Sequence, residues 1–165
     1  MSQQLEIDAH RFVRESRVLE GFLDFSELPR LHDLITQKIG QVAYRLQGVL
    51  GERGQPRLRL EVSGVLPLVC QRCLGAVDEA LEINSLLELI EADSEPTQDE
   101  LENDSLDFLP VAGALDVKAL IEDEILLALP VAPRHAACGL PSDAEAGEQP
   151  NPFAALAALK TNKLN

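Results

Sequence analysis

From Gln41 onward the sequence changes sides at almost every residue. Val42, Tyr44 and Leu46 fall on one side of an extended chain, with Arg45 and Gln47 on the other. Gly51-Glu52-Arg53-Gly54-Gln55 then supplies a turn. After Pro56, Leu58, Leu60, Val62, Leu66 and Leu68 face one way, against Arg57, Arg59, Glu61 and Ser63. Strand side chains alternate with a period of two, so this pattern predicts a long antiparallel hairpin with one dry face and one wet face. The second run ends in Cys70-Gln71-Arg72-Cys73. Cys70 has the parity of the core-facing set. A strand without a bulge therefore delivers it inside, with Cys73 curling back towards it. Gly75 helps the chain turn, and residues 77–90 alternate again. Val77, Leu81, Ile83, Leu87 and Leu89 share one face, and Asp78, Glu82 and Glu88 make the other acidic.

The flanking segments read less sharply. Leu19, Gly21, Leu23 and Phe25 suggest an earlier strand over 17–25. Ser26 is then a candidate cap for a short helix carrying Leu28, Leu31, Leu34 and Ile35. Arg11, Arg14 and Arg17 recur every three residues and read as a solvated face. Residues 91–107 are acidic, contain Pro96 and are nearly free of apolar side chains, which predicts a loop. Asp116 is a good N-cap for a helix whose buried face is Val117, Leu120, Ile121, Ile125 and Ala128, with Pro130 as its stop. On that helix Glu122-Asp123-Glu124 forms the polar side, while Leu126, Leu127 and Leu129 point to a well-buried end. Pro141 to Pro150 reads as a linker. Asn151-Pro152 then opens a terminal helix with Phe153, Leu156 and Leu159 on one side. The expected fold class is α+β: a mainly antiparallel sheet with one packed helix and a C-terminal helix on a linker. Residues 1–140 form one domain with an acidic loop at 91–107, and 141–165 are linker and terminal helix.

Charge is segregated along the chain. The net charge of −14 hides a middle segment, 74–125, that holds sixteen of the 28 acidic residues and a single lysine, Lys118. The first 73 residues hold ten of the 14 Lys and Arg. Phosphate binding needs clustered Lys and Arg, so the acidic middle is a poor general nucleic-acid surface. It suits a basic partner such as a ribosomal protein, or simply keeps the protein soluble. No run is apolar and long enough for a membrane span, and Met1 to His10 lack a signal-type apolar stretch. The expected compartment is the cytoplasm.

Three cysteines make no disulfide framework. Cys70 and Cys73 stand two residues apart, as do His135 and Cys138. Together they compose a Cys3His set suited to a closed, structural zinc site. Two other readings stay open. The cysteines are reduced, partly buried thiols in ordinary turns, or Cys70 and Cys73 form a thiol–disulfide redox pair. A thioredoxin-like pair sits at a helix start, whereas this one lies between two antiparallel strands. No phosphate-binding glycine loop or nucleophile elbow is present, and His10 and His32 have no catalytic setting. The sequence therefore offers no catalytic residue.

Three separated blocks resemble the YceD family of large ribosomal RNA subunit accumulation proteins. They are Val69-Cys70-Gln71-Arg72-Cys73-Leu74, the run Ile121 to Pro130 followed by His135 and Cys138, and Asn151 to Lys160. Their order and spacing match, from the hairpin to the end of the chain. The resemblance implies a cytoplasmic, non-enzymatic accessory factor in ribosome biogenesis. Such a factor is needed for accumulation of 23S ribosomal RNA through its synthesis, processing or stability. The charge map adds the expected partner, a basic ribosomal protein or assembly factor engaged by the acidic 74–125 segment. A direct ribosomal-RNA-binding module using Arg57, Arg59, Arg72 and nearby arginines is the alternative, as is the redox protein.

Overall fold

The computed structural model describes residues 5–94 and 106–139. The elements run β1 (Glu6–Asp8), α1 (Ala9–Arg14), β2 (Val18–Asp24), β3 (Gln41–Leu50), β4 (Pro56–Val69), β5 (Ala76–Glu91), β6 (Asp107–Val111), β7 (Ala114–Asp116) and α2 (Val117–Ala128). Two single-turn 3-10 helices, Phe25–Glu27 and Pro29–Leu31, lie between β2 and β3. The main sheet has the order β2-β3-β4-β5-β6, and β1 pairs with β7 in a separate two-stranded ribbon. All neighbours in the main sheet are antiparallel except β5 and β6. The fold is thus α+β with a mainly antiparallel sheet, as the alternation predicts. The terminal helix expected over 151–160 and most of the acidic loop expected at 91–107 lie outside the described residues.

The core lies on one face of the sheet. Val42, Tyr44 and Leu46 of β3, Leu58, Leu60, Val62, Leu66 and Leu68 of β4, and Leu81, Ile83, Leu87 and Leu89 of β5 are all buried. Helix α1 contributes Phe12 and Val13, and α2 contributes Val117, Leu120, Ile121 and Ile125. Asp116 caps α2 as expected, its carboxylate accepting from the N–H groups of Lys118 at 2.9 Å and Ala119 at 3.2 Å. Pairing between β4 and β5 is one-to-one from Arg57↔Glu88 to Val69↔Ala76. No bulge interrupts the parity, so every even-numbered β4 side chain points inward.

Four expectations need correction. The helix predicted after Ser26 is replaced by the two 3-10 turns. Pro29 opens the second turn, and Leu28 before it is held outside the helical region (φ −114°, ψ 75°), as a residue preceding proline tends to be, which breaks the helix between the two turns. Leu28, Leu31 and Ile35 are still buried, but Leu34 is 41% exposed. Glu88 lies on the outer face of the sheet, as expected, but is not solvated there. It is 9% exposed and its Oε2 accepts from Arg57 Nε at 2.8 Å, directly across the strands. Glu122 is likewise buried, accepting the Arg30 N–H at 2.7 Å and so tying the second 3-10 turn to α2. Leu127 and Ala128, both expected inside, are exposed at the end of α2, Leu127 at 81%.

Gly48 shows how closely α1 sits on the sheet. A Cβ there would lie 2.6 Å from Val13 Cα and 2.8 Å from the Phe12 carbonyl oxygen. Both obstacles are backbone, so α1 as a whole would have to lift. Gly48→Ala should therefore destabilise the protein by about 1–3 kcal/mol. Urea unfolding should show this as a lower midpoint at unchanged slope. An unchanged midpoint would mean that α1 is not held against β3 in this way.

Candidate metal centre at the hairpin tip

Strand β4 stops at Val69, and residues 70–75 form the loop into β5. The loop is closed by two backbone hydrogen bonds. Cys70 N–H donates to the Gly75 carbonyl at 2.8 Å, and Leu74 N–H donates to the Cys70 carbonyl at 3.0 Å. Leu74 takes a left-handed conformation (φ 61°), which lets the chain reverse here. Because parity is unbroken along β4, Cys70 arrives inside and is fully buried. Cys73 curls back to it, half-buried.

The second pair arrives from the other end of the fold. Helix α2 packs on β4 and β5, and its C-terminus releases the chain beside the hairpin tip. Gln71 N–H donates to the Pro133 carbonyl at 2.8 Å, pinning that loop to the knuckle. His135 and Cys138 then face the two knuckle cysteines. Cys70 Sγ lies 3.8 Å from Cys138 Sγ, and Cys73 Sγ lies 3.4 Å from His135 Nδ1. All four donor atoms fall within 4.8 Å of one another.

The Cys70–Cys138 and Cys73–His135 separations match two edges of a tetrahedral ion's donor shell. Bonds of about 2.3 Å to sulfur and about 2.0 Å to nitrogen give S···S edges of roughly 3.8 Å and S···N edges of roughly 3.5 Å. The imidazole is already in the tautomer such an ion requires. Its Nε2–H donates to the Ala76 carbonyl at 2.8 Å, which leaves the Nδ1 lone pair aimed at the cluster. Backbone N–H groups of Cys73, and then of Arg72 and His135, converge on the Cys70 sulfur. They hold its thiol down to about 5, against the burial that opposes them. Burial and the neighbouring Cys70 sulfur push Cys138 the other way. The donor set can hold a cation.

All four residues picked from the sequence are thus brought together. Sequence reasoning missed the backbone that supports them, the carbonyls of Ala76 and Pro133, because carbonyls leave no trace in residue identity. The redox geometry is weaker, because the motif lies between two antiparallel strands and opens no helix. Of the arginines named for the RNA-binding alternative, Arg57 and Arg59 share the outer face of β4, and Arg72 stands apart from them. Arg57 is occupied by Glu88, and Arg59 lies on the outer sheet face. Arg72 sits at the tip, beyond ten further residues of strand or about 33 Å.

No helix among the described residues is long and apolar enough to cross a membrane. No solved structure matches the chain. The family model described as "Large ribosomal RNA subunit accumulation protein YceD" matches residues 58–160. That span runs from the first buried leucine of β4 through the knuckle, α2 and the His135–Cys138 pair, and it covers more than half of the chain. The chain belongs to the YceD family of large ribosomal RNA subunit accumulation proteins.

Proposed function

We propose that this protein is a cytoplasmic, non-enzymatic ribosome-biogenesis factor. It supports accumulation of 23S ribosomal RNA by binding a basic ribosomal protein or assembly factor. The family match over 58–160 carries this reading. The division into a 1–140 domain and a 141–165 linker with docking helix belongs to the proposal. So does structural zinc at Cys70, Cys73, His135 and Cys138, supported by the donor separations and by the orientation of the imidazole. In this reading the ion ties the hairpin tip to the loop after α2 and performs no chemistry on a substrate.

Two outcomes follow. Protein purified without chelator should contain one zinc per chain. Replacement by Co(II) should give the visible bands of a tetrahedral, thiolate-bound ion. Metal removal should lower the melting temperature by on the order of 10 °C, and Cys73→Ser should abolish stoichiometric binding. Metal-free wild type that binds neither ion would leave the four side chains as a thiol cluster.

The second outcome concerns the cell. Depletion of the protein should reduce 23S ribosomal RNA and mature large subunits, and wild type should restore them. Cys70→Ser/Cys73→Ser at equal abundance should restore them less well. Unchanged ribosomal RNA on depletion would remove the biogenesis reading altogether. Full rescue by the double variant would remove only the knuckle's part in it.

A further inference from the structure

The sheet face opposite the core has no helix on it among the described residues. It is concave. An open trough of about 640 Å³ crosses β2, β3, β4 and β5, a width of about 15 Å at ordinary strand spacing. The hollow has a simple cause. Ala43 and Ser63 are paired neighbours at its floor, and both are small. Phe22 stands at one rim of that row, 66% exposed, and Glu82 stands at the other.

The adjoining row carries the charge. Arg45 lies directly between Glu20 and Glu61 in the strand register. It forms an ion pair with Glu20 at 3.6 Å, so its charge is already balanced. Glu61 and Glu82 form no ion pair among the described residues. The trough therefore offers two carboxylates without an ion-pair partner among the described residues, the Asn84 amide and a large exposed aromatic ring. An aromatic ring beside carboxylates suits the stem and head of Lys or Arg. The same carboxylates repel phosphate, and they repel their own image in a symmetric dimer.

We propose that this trough is the docking surface for an extended, Lys/Arg-rich segment of a partner protein. Basic side chains pair with Glu61 and Glu82, and an apolar or basic stem packs on Phe22. The proposal rests on the biogenesis reading and names the surface through which the basic partner is held. It also moves the contact away from the knuckle, which lies at the end of the β4–β5 hairpin.

The test uses the full-length protein and individually purified, RNA-free large-subunit ribosomal proteins. Large-subunit ribosomal RNA serves as the competing probe. At least one ribosomal protein should bind, with affinity that falls as salt rises. Amide NMR shifts should cluster at Phe22, Ala43, Ser63 and Asn84. Glu61→Lys/Glu82→Lys should weaken binding about tenfold or more, and Phe22→Ser should weaken it comparably, with melting temperatures unchanged. Glu52→Lys/Glu91→Lys, which reverses two exposed charges outside the trough, should not. Equal loss in this control would reduce the contact to net charge and overturn the proposal. Shifts elsewhere, binding of RNA in preference to every protein, concentration-dependent dimers seated on the trough, or no binding at all would overturn it too. If depletion shows that 23S ribosomal RNA depends on the protein while both trough variants restore it fully, the trough falls and the biogenesis reading stands.

Discussion

Everything at the hairpin tip depends on the unbroken parity of β4. The strand runs 14 residues at the centre of the sheet, with Leu58, Leu60, Val62, Leu66 and Leu68 buried beneath it. A single inserted residue would send each of these leucines to the outer face and Cys70 with them. The burial of so many apolar side chains therefore fixes the orientation of one sulfur. Core energetics and site geometry are one constraint, and this is why the knuckle needs no local device beyond its own tight turn.

The second pair is placed by a different route. His135 and Cys138 follow Cys73 by more than sixty residues, and the ligand spacing alone could not say whether the pairs would meet. Helix α2 makes them meet. Its face of Val117, Leu120, Ile121 and Ile125 packs on β4 and β5, and Glu122 and Glu124 add polar contacts to the Arg30 backbone and the Ser85 hydroxyl. The helix thus stops beside the tip, and the Gln71–Pro133 hydrogen bond completes the approach. A cation bound here would cross-link two segments that are distant in sequence but already adjacent. Little ordering would remain for the ion to impose, so it would act on a folded framework rather than create one.

This division explains what the sequence could and could not tell. The hairpin, the Asp116-capped helix and the four donor residues were legible, because each rests on periodicity, a cap or residue type. β1 and β7 are three residues each and α1 is six, too short to show any period. β6 carries Pro110, which reads as a breaker. The structure accommodates it because, among the described residues, β6 is the edge strand of the sheet, where a proline is tolerated. The parallel β5–β6 pairing had no signal either, since nothing in residues 107–111 names its neighbour. The burial of Glu88 and Glu122 was invisible for the same reason. An acid on a helix or strand looks solvated until its partner is known, and Arg57 and the Arg30 N–H are partners that only tertiary structure supplies.

The same fact changes the meaning of the charge map. By composition, the acidity belongs to residues 74–125. Within that span, Glu88, Glu122 and Glu124 are engaged in internal contacts, and Asp123 pairs with Arg30. Lys118, the span's one lysine, pairs with Glu27 from the other half of the chain. Acids free to meet a partner are therefore fewer than the count suggests, and they are differently placed. Glu61, from the Arg-rich first 73 residues, which hold nine acids against ten Lys and Arg, stands on the same open face as Glu82. A strand register can assemble an acidic surface from a segment with no net acidity. For that reason the surface a partner would meet is set by which side chains the sheet turns outward, and not by where along the chain the charge is written.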